Sequence, residues 1–113
     1  MLDVFEVGEK MRTCMTETRR LCSELDKALE NKVNTKVEYD KELDIALVTL
    51  ASEEVPVTIR EKRAKGVLAV KGITRQFELA EGRWKILNTK IDAAEKELDA
   101  WRSYNRHLST GVE

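Results

Sequence analysis

The sequence predicts an all-α protein: a long helical hairpin or coiled-coil bundle of three helices, with one very long C-terminal helix. The chain has only five glycines and one proline in 113 residues, and 36% of its residues are charged, which is typical of long helices. Its hydrophobic content of 42% at a net charge of −1 is too high for a disordered chain. We expect a single domain, residues 1–113, with helices at about 2–33, 35–51 and 56–109.

The first predicted helix carries apolar residues in rows spaced by seven. The rows are Val4, Met11, Thr18 and Leu25; Val7, Cys14, Leu21 and Ala28; and Met15, Cys22 and Leu29. Three adjacent rows form a stripe wider than a two-stranded seam needs, which favours a bundle. The two cysteines lie about 12 Å apart along one helix, too far for a disulfide. We therefore expect two reduced thiols packed in the core.

The second predicted helix begins after the polar stretch around residue 34. Thr35 followed by Glu38 fits a capping box. Between residues 38 and 54 there are six acidic residues and only one base, Lys41. This element is therefore strongly acidic.

The third predicted helix begins near Pro56, since proline is favoured in a first helical turn. Two heptad rows continue to its end and predict a left-handed seam. At roughly 80 Å this helix is too long to be covered by a first helix of about 45 Å, so the uncovered seam predicts a homo-oligomer. The oligomer-seam residues are Val70, Phe77, Trp84, Leu87, Ile91, Leu98 and Trp101.

The sequence offers no recognisable catalytic chemistry. One histidine and two helical cysteines give no zinc-ligand spacing, and there is no glycine-rich phosphate loop. We expect no enzymatic activity, no metal site and no cofactor. The N-terminus lacks the apolar core of a signal peptide, and no run of apolar residues reaches membrane-spanning length. We therefore expect no membrane association and a cytoplasmic location, which is the host cytoplasm if the protein is viral.

A basic segment at residues 58–76 is the first candidate site. It has a net charge of +5, and such a cluster attracts phosphates. The alternative is that these bases pair with the acidic second helix. The candidate nucleic-acid-binding residues are Arg60, Lys62, Arg63, Lys65, Lys71 and Arg75.

A second candidate site lies near the end of the chain, beside Trp101. By register Trp101 belongs to the seam, whereas the basic residues around it point outward. An aromatic ring beside arginines can stack on a base or hold an acidic peptide. The residues of this secondary binding site are Arg102, Tyr104, Arg106 and His107.

The segment "SEEVPVTIREKRAKGVLAV", followed by a long helix ending "AEKELDAWRSYNRHLS", resembles small helical proteins from the early regions of tailed phages. In outline it is similar to phage recombination mediators. The resemblance covers about residues 36–109 and is one of layout and charge. It implies an oligomer that binds single-stranded DNA and helps to load a recombinase, with DNA-facing roles for Arg60, Lys62, Arg63 and Lys65.

Two main classes of function follow. The first is a non-enzymatic, oligomeric phage-type accessory protein that binds single-stranded DNA or a recombinase–DNA filament in recombination or replication. The alternative is a protein–protein adaptor or inhibitor of host machinery that acts through helix surfaces without touching DNA. A purely structural assembly subunit is a third class. The first two classes differ in one testable feature. A DNA-binding protein needs an accessible basic segment, whereas in an adaptor or inhibitor the acidic segment can neutralise it.

Overall fold

A computed structural model describes residues 2–110, without the side chain of residue 110. Residue 1 and residues 111–113, which belong to the predicted domain of residues 1–113, lie outside it. The described chain forms three helices and no strand: α1 (Val4–Ser52), α2 (Val57–Val70) and α3 (Ile73–Thr110). The predicted all-α class is confirmed. Within residues 2–110, no helix offers the long, nearly uncharged apolar run that a membrane span requires.

Helix α1 continues through the position where the sequence predicted a break. It begins after Asp3, whose Oδ1 accepts a hydrogen bond from the Glu6 amide at 2.8 Å, as an N-cap residue does. The Thr35 hydroxyl does not cap a new helix. It donates back to the carbonyls of Asn31 and Lys32 at 2.9 and 3.0 Å, which satisfies a threonine inside a helix. The predicted boundary between residues 33 and 35 is therefore wrong.

The loop after α1 closes the helix with backbone hydrogen bonds. The Val55 amide donates to the Leu50 carbonyl at 3.1 Å, while Glu54 adopts a left-handed conformation with φ of 62°. Pro56 then occupies the N-cap position of α2, close to where the sequence placed the start of a helix.

The predicted helix over residues 56–109 is interrupted at residues 71–72. The amides of Lys71 and Gly72 donate to the Val67 and Ala69 carbonyls, each at 3.1 Å, and Gly72 has φ of 78°. A left-handed residue at the end of a helix is favourable for glycine because it has no Cβ. Gly72 therefore ends α2. The predicted start of the long C-terminal helix at residue 56 is wrong, whereas a long C-terminal helix is present as α3, with 38 residues.

The chain divides into two compact units. The terminal unit consists of α1 up to Asp26 and α3 from Lys85 onward, and the central unit is Lys27–Trp84. In the terminal unit, Val7, Cys14 and Leu21 from α1 are buried, as are Leu87, Ile91 and Leu98 from α3. On α1 one predicted heptad row therefore forms the core, whereas the buried residues of α3 come from both of its predicted rows. The row containing Cys22 is exposed, because only two helices meet here and a single row is fully covered.

The central unit contains parts of all three helices. Its core cluster is built on Ala46, Ala64 and Leu68, where two small residues allow close approach of the helices. Tyr39 and Phe77 contact each other at 5.4 Å between ring centroids. Partly buried residues complete the cluster: Tyr39, Leu43, Leu47, Leu50 and Ile73.

Two glycines of α2 and its following turn should respond oppositely to alanine. Gly72→Ala should lower the free energy of unfolding by about 1 kcal/mol, because a Cβ is disfavoured at positive φ. Gly66→Ala should raise it by roughly 0.5–1 kcal/mol, because Gly66 is helical and a Cβ there meets no atom within 4 Å. Urea denaturation followed by circular dichroism measures both. Equal effects of the two substitutions would contradict the assignment of Gly72 as the helix terminator.

Candidate interaction surfaces

The basic segment is partly engaged within the chain. The Arg60 guanidinium donates to the Val55 carbonyl, from Nη2 at 2.8 Å and from Nε at 3.3 Å. The side chain thereby ties α2 to the loop that follows α1. Arg60 is half-buried and has a structural contact where the sequence predicted a phosphate contact.

Two of the lysines lie in ion pairs. Lys65 Nζ is 3.0 Å from Glu61 Oε1, and this hydrogen bond raises the pKa of Lys65. Lys71 Nζ lies 4.0 Å from Glu42 Oε2, which joins the basic segment to the acidic one as the alternative interpretation predicted. The exposed Lys65–Glu61 pair contributes little stability, and the Lys71–Glu42 contact is long although Glu42 is half-buried, so both lysines remain able to exchange partners.

Three basic side chains of the segment have no partner among residues 2–110. Lys62, Arg63 and Arg75 are exposed and make no hydrogen bond or ion pair with the described residues. On the acidic side, Glu38 and Asp44 are likewise exposed and without a partner in the described chain. The two oppositely charged segments are therefore only partly neutralised by each other.

Five of the six aromatic rings make contacts within the described chain, and the sixth, Phe5, is 73% exposed. Lys32 Nζ lies 3.8 Å from the centre of the Trp84 ring, and Tyr39 packs on Phe77. The rings of Trp101 and Tyr104 pack edge to face, with 6.1 Å between their centroids. Nucleobases that stack on a protein need an aromatic ring with an open face. These contacts therefore disfavour base stacking as the main mode of nucleic-acid binding.

The secondary site near the end of α3 is also internally satisfied. The Trp101 indole N–H donates to Glu97 Oε1 at 3.4 Å, and Arg102 Nη1 lies 3.4 Å from Asp99 Oδ1. Arg106 and His107 each make an interaction within the chain as well. The cluster is a set of helix-surface contacts around a half-buried tryptophan.

Most of the predicted oligomer seam is covered by the chain itself. Leu87, Ile91 and Leu98 are buried, and Phe77, Trp84 and Trp101 are half-buried. The predicted seam assumed a first helix ending at residue 33, whereas α1 has 49 residues and leaves no long uncovered row. The exception is Val70, which is 91% exposed.

Exposed apolar side chains are concentrated in the central unit. Ten of the fourteen large apolar residues that the structure exposes lie between residues 27 and 84. The heptad rows did not predict most of these exposed residues, because the residues lie between the rows. They are Leu29, Val33, Val37, Ile45, Val48, Val57, Ile59, Val67, Val70 and Leu79.

A shallow apolar groove runs along α2 in the same unit. Leu50, Gly66, Val67 and Val70 form its floor, and basic side chains stand at its edge. A groove of this composition suits an apolar helix face flanked by acidic residues. The basic edge residues are Arg63 and Lys71.

The two thiols differ in their surroundings, since Cys22 is exposed. Cys14 is buried, and this burial, followed by the neighbouring Glu97 carboxylate, raises the pKa of its thiol. A raised pKa reduces the thiolate fraction and hence the reactivity. Residues 2–110 contain no group of three side chains placed to hold a metal ion.

Comparison of the chain with protein-family models, with curated proteins and with solved structures found no significant match. The resemblance to phage recombination mediators stays a prediction. Function is therefore inferred from the surfaces just described.

Arg60 and Lys62 should differ in their effect on stability although both belong to the predicted DNA-binding set. Arg60→Ala should lower the free energy of unfolding by about 1 kcal/mol, because the Val55 carbonyl loses its donor. Lys62→Ala should change it by less than about 0.5 kcal/mol, as is usual for an exposed side chain. Thermal and urea unfolding of the two variants test this. Equal free energies of unfolding for the two variants would show that the Arg60 contact does not stabilise the fold.

Proposed function

We propose that this chain is a non-enzymatic protein-interaction module, an adaptor or inhibitor that binds another polypeptide through its central unit. The observation that carries the proposal is the concentration of exposed apolar side chains between residues 27 and 84. A contiguous apolar patch that a folded chain leaves in water marks an interaction site, and the groove along α2 is such a patch in this unit. A helix that lays its apolar face on such a surface is a common mode of recognition.

The charges around this apolar surface suit selection of a partner. Arg63 stands at the edge of the groove, and Asp44 lies on α1 among exposed valines. Charges at the rim of an interface contribute to association rate and to the choice of partner more than to affinity. The central unit thus offers both the apolar area and the charge pattern of a binding surface.

A second candidate function is binding of single-stranded DNA in recombination or replication. It is favoured by Lys62, Arg63 and Arg75, which are exposed and unpaired within the described residues. Three phosphate contacts give a salt dependence of about −2 in log–log slope for a single strand. The engaged aromatic rings and the net charge of −1 make this the weaker proposal.

Site-specific photo-crosslinking tests the protein-interaction proposal. A photoreactive amino acid at Val48 or Val70 should give discrete protein adducts in the source cells, because both side chains are largely exposed, at 70% and 91%. The same group at Lys96, whose side chain is 77% exposed in the terminal unit, is the matched control. The proposal would be overturned if the central positions gave no adducts, or the same adducts as Lys96.

The nucleic-acid candidate is tested by fluorescence anisotropy of labelled single-stranded DNA at two salt concentrations. We expect no binding at micromolar protein for the wild-type chain, since its uncompensated bases are few. The triple variant Lys62→Ala, Arg63→Ala and Arg75→Ala is the comparison. Micromolar binding that weakens with salt and disappears in the triple variant would make DNA binding the leading function instead.

A further inference from the structure

We infer that the outer face of α2 binds the α1 helix of a second copy of this chain. This inference rests on the proposed function, because it names the polypeptide that the central unit binds. The outer face of α2 contains Ile59, Arg63, Gly66 and Val70, all of them exposed. These positions are separated by four, three and four residues and so share one side of the helix. The opposite side of α2 buries Ala64 and Leu68 in the central core.

The matching surface is a stripe on α1 with the same spacing. Val37, Lys41, Asp44 and Val48 are also separated by four, three and four residues, and all four are exposed. Val37 and Val48 expose 62% and 70% of their surfaces. Each stripe therefore has an apolar residue at either end, about 16 Å apart along the helix, with the other two residues between them.

Antiparallel alignment of the two stripes brings complementary residues together. Val48 then faces Ile59, and Val37 faces Val70. Between these apolar ends, Asp44 faces Arg63, which forms an ion pair.

The alignment also leaves space for the fourth contact. Lys41 faces Gly66, where a Cβ would meet no atom within 4 Å, so the lysine stem has room to lie across the α2 backbone. The parallel alignment would instead place Lys41 against Arg63, and like charges across an interface are strongly unfavourable. Charge therefore selects the antiparallel arrangement.

The overall charge distribution supports a second copy as the occupant. Residues 38–54 have a net charge of −5 and residues 58–76 a net charge of +5. Within the described chain a single ion pair joins the two segments, between Lys71 and Glu42 at 4.0 Å. Lys36 also pairs with Asp40. Glu38 and Asp44 on one segment and Lys62, Arg63 and Arg75 on the other are left for an outside partner, and a copy of the same chain supplies charges of both signs.

Self-complementarity distinguishes a second copy from an unrelated acidic helix. Each copy presents both stripes, on sides of α1 and α2 that face away from their shared core. One copy can therefore bind one neighbour through its α2 face and another through its α1 stripe, in head-to-tail contacts. An unrelated acidic helix would fill the α2 face but leave the α1 stripe of this chain uncovered. The matched spacing of the two stripes is what selects the second copy.

A charge-exchange experiment tests the inference. Sedimentation velocity of the full chain over a micromolar concentration range should show self-association. Arg63→Asp and Asp44→Arg should each weaken it by about tenfold or more, since each places like charges together. An equal mixture of the two variants should associate again. In that mixture the introduced aspartate faces the introduced arginine, and the native Arg63 of one copy faces the native Asp44 of the other.

Two matched substitutions control for charge alone. Arg75→Asp and Asp26→Arg make the same charge changes at exposed positions outside both stripes, and they should leave the association unchanged. Circular dichroism of each variant should show the wild-type helical content, so that loss of association is not loss of folding.

The outcomes separate this inference from the proposed function. A chain that stays monomeric, or an association that the mixture fails to restore, would overturn the inference. A crosslink from Val48 or Val70 into a different protein, with no self-adduct, would overturn the second copy as occupant but keep the protein-interaction function. Absence of any adduct at these positions would overturn both.

Discussion

The structure depends on the burial of a narrow apolar face on each of two long helices, one heptad row on α1 and parts of two rows on α3. A helix of 49 residues such as α1 is not held in place by propensity alone, because helices in proteins gain most of their stability from a packed face. On α1 that face is the row of Val7, Cys14, Leu21 and Ala28, none of which exposes more than 7% of its surface. Residues one position away, such as Met15 and Cys22, are already exposed. The core is therefore one row wide along much of α1.

The central unit shows what such a thin core leaves uncovered. Helix α2 has only 14 residues and buries just Ala64 and Leu68. Two buried residues four apart secure one edge of a short helix and leave the remainder of its surface in water. The loop contact from Arg60 to the Val55 carbonyl and the turn at Gly72 hold the two ends of α2. The helix is thus fixed in position while its outer side stays accessible, which is the arrangement that a binding surface requires.

The sequence was sufficient to predict the helical class and much of the buried row, because heptad spacing reports directly which side of a helix is covered. It was not sufficient to predict where the helices begin and end, since the residues at those positions are compatible with two different backbone conformations. Thr35 before Glu38 resembles a capping box, yet the same hydroxyl can bond back to Asn31 inside a helix. Gly72 could either soften a helix or end it, and only the left-handed backbone distinguishes the two. Both mistakes moved the predicted uncovered surface to the wrong place, onto α3.

The surroundings of the candidate site residues likewise depend on contacts between helices. Residue types gave the charge of each segment, but whether opposite charges meet depends on tertiary geometry that spacing does not encode. The structure joins the two segments through Lys71 and Glu42, while Arg63 and Asp44 remain exposed on separate helices. The small core of the central unit has too little interior to bring all such charges together. The charges that the chain cannot neutralise within itself therefore remain at its surface beside exposed apolar residues.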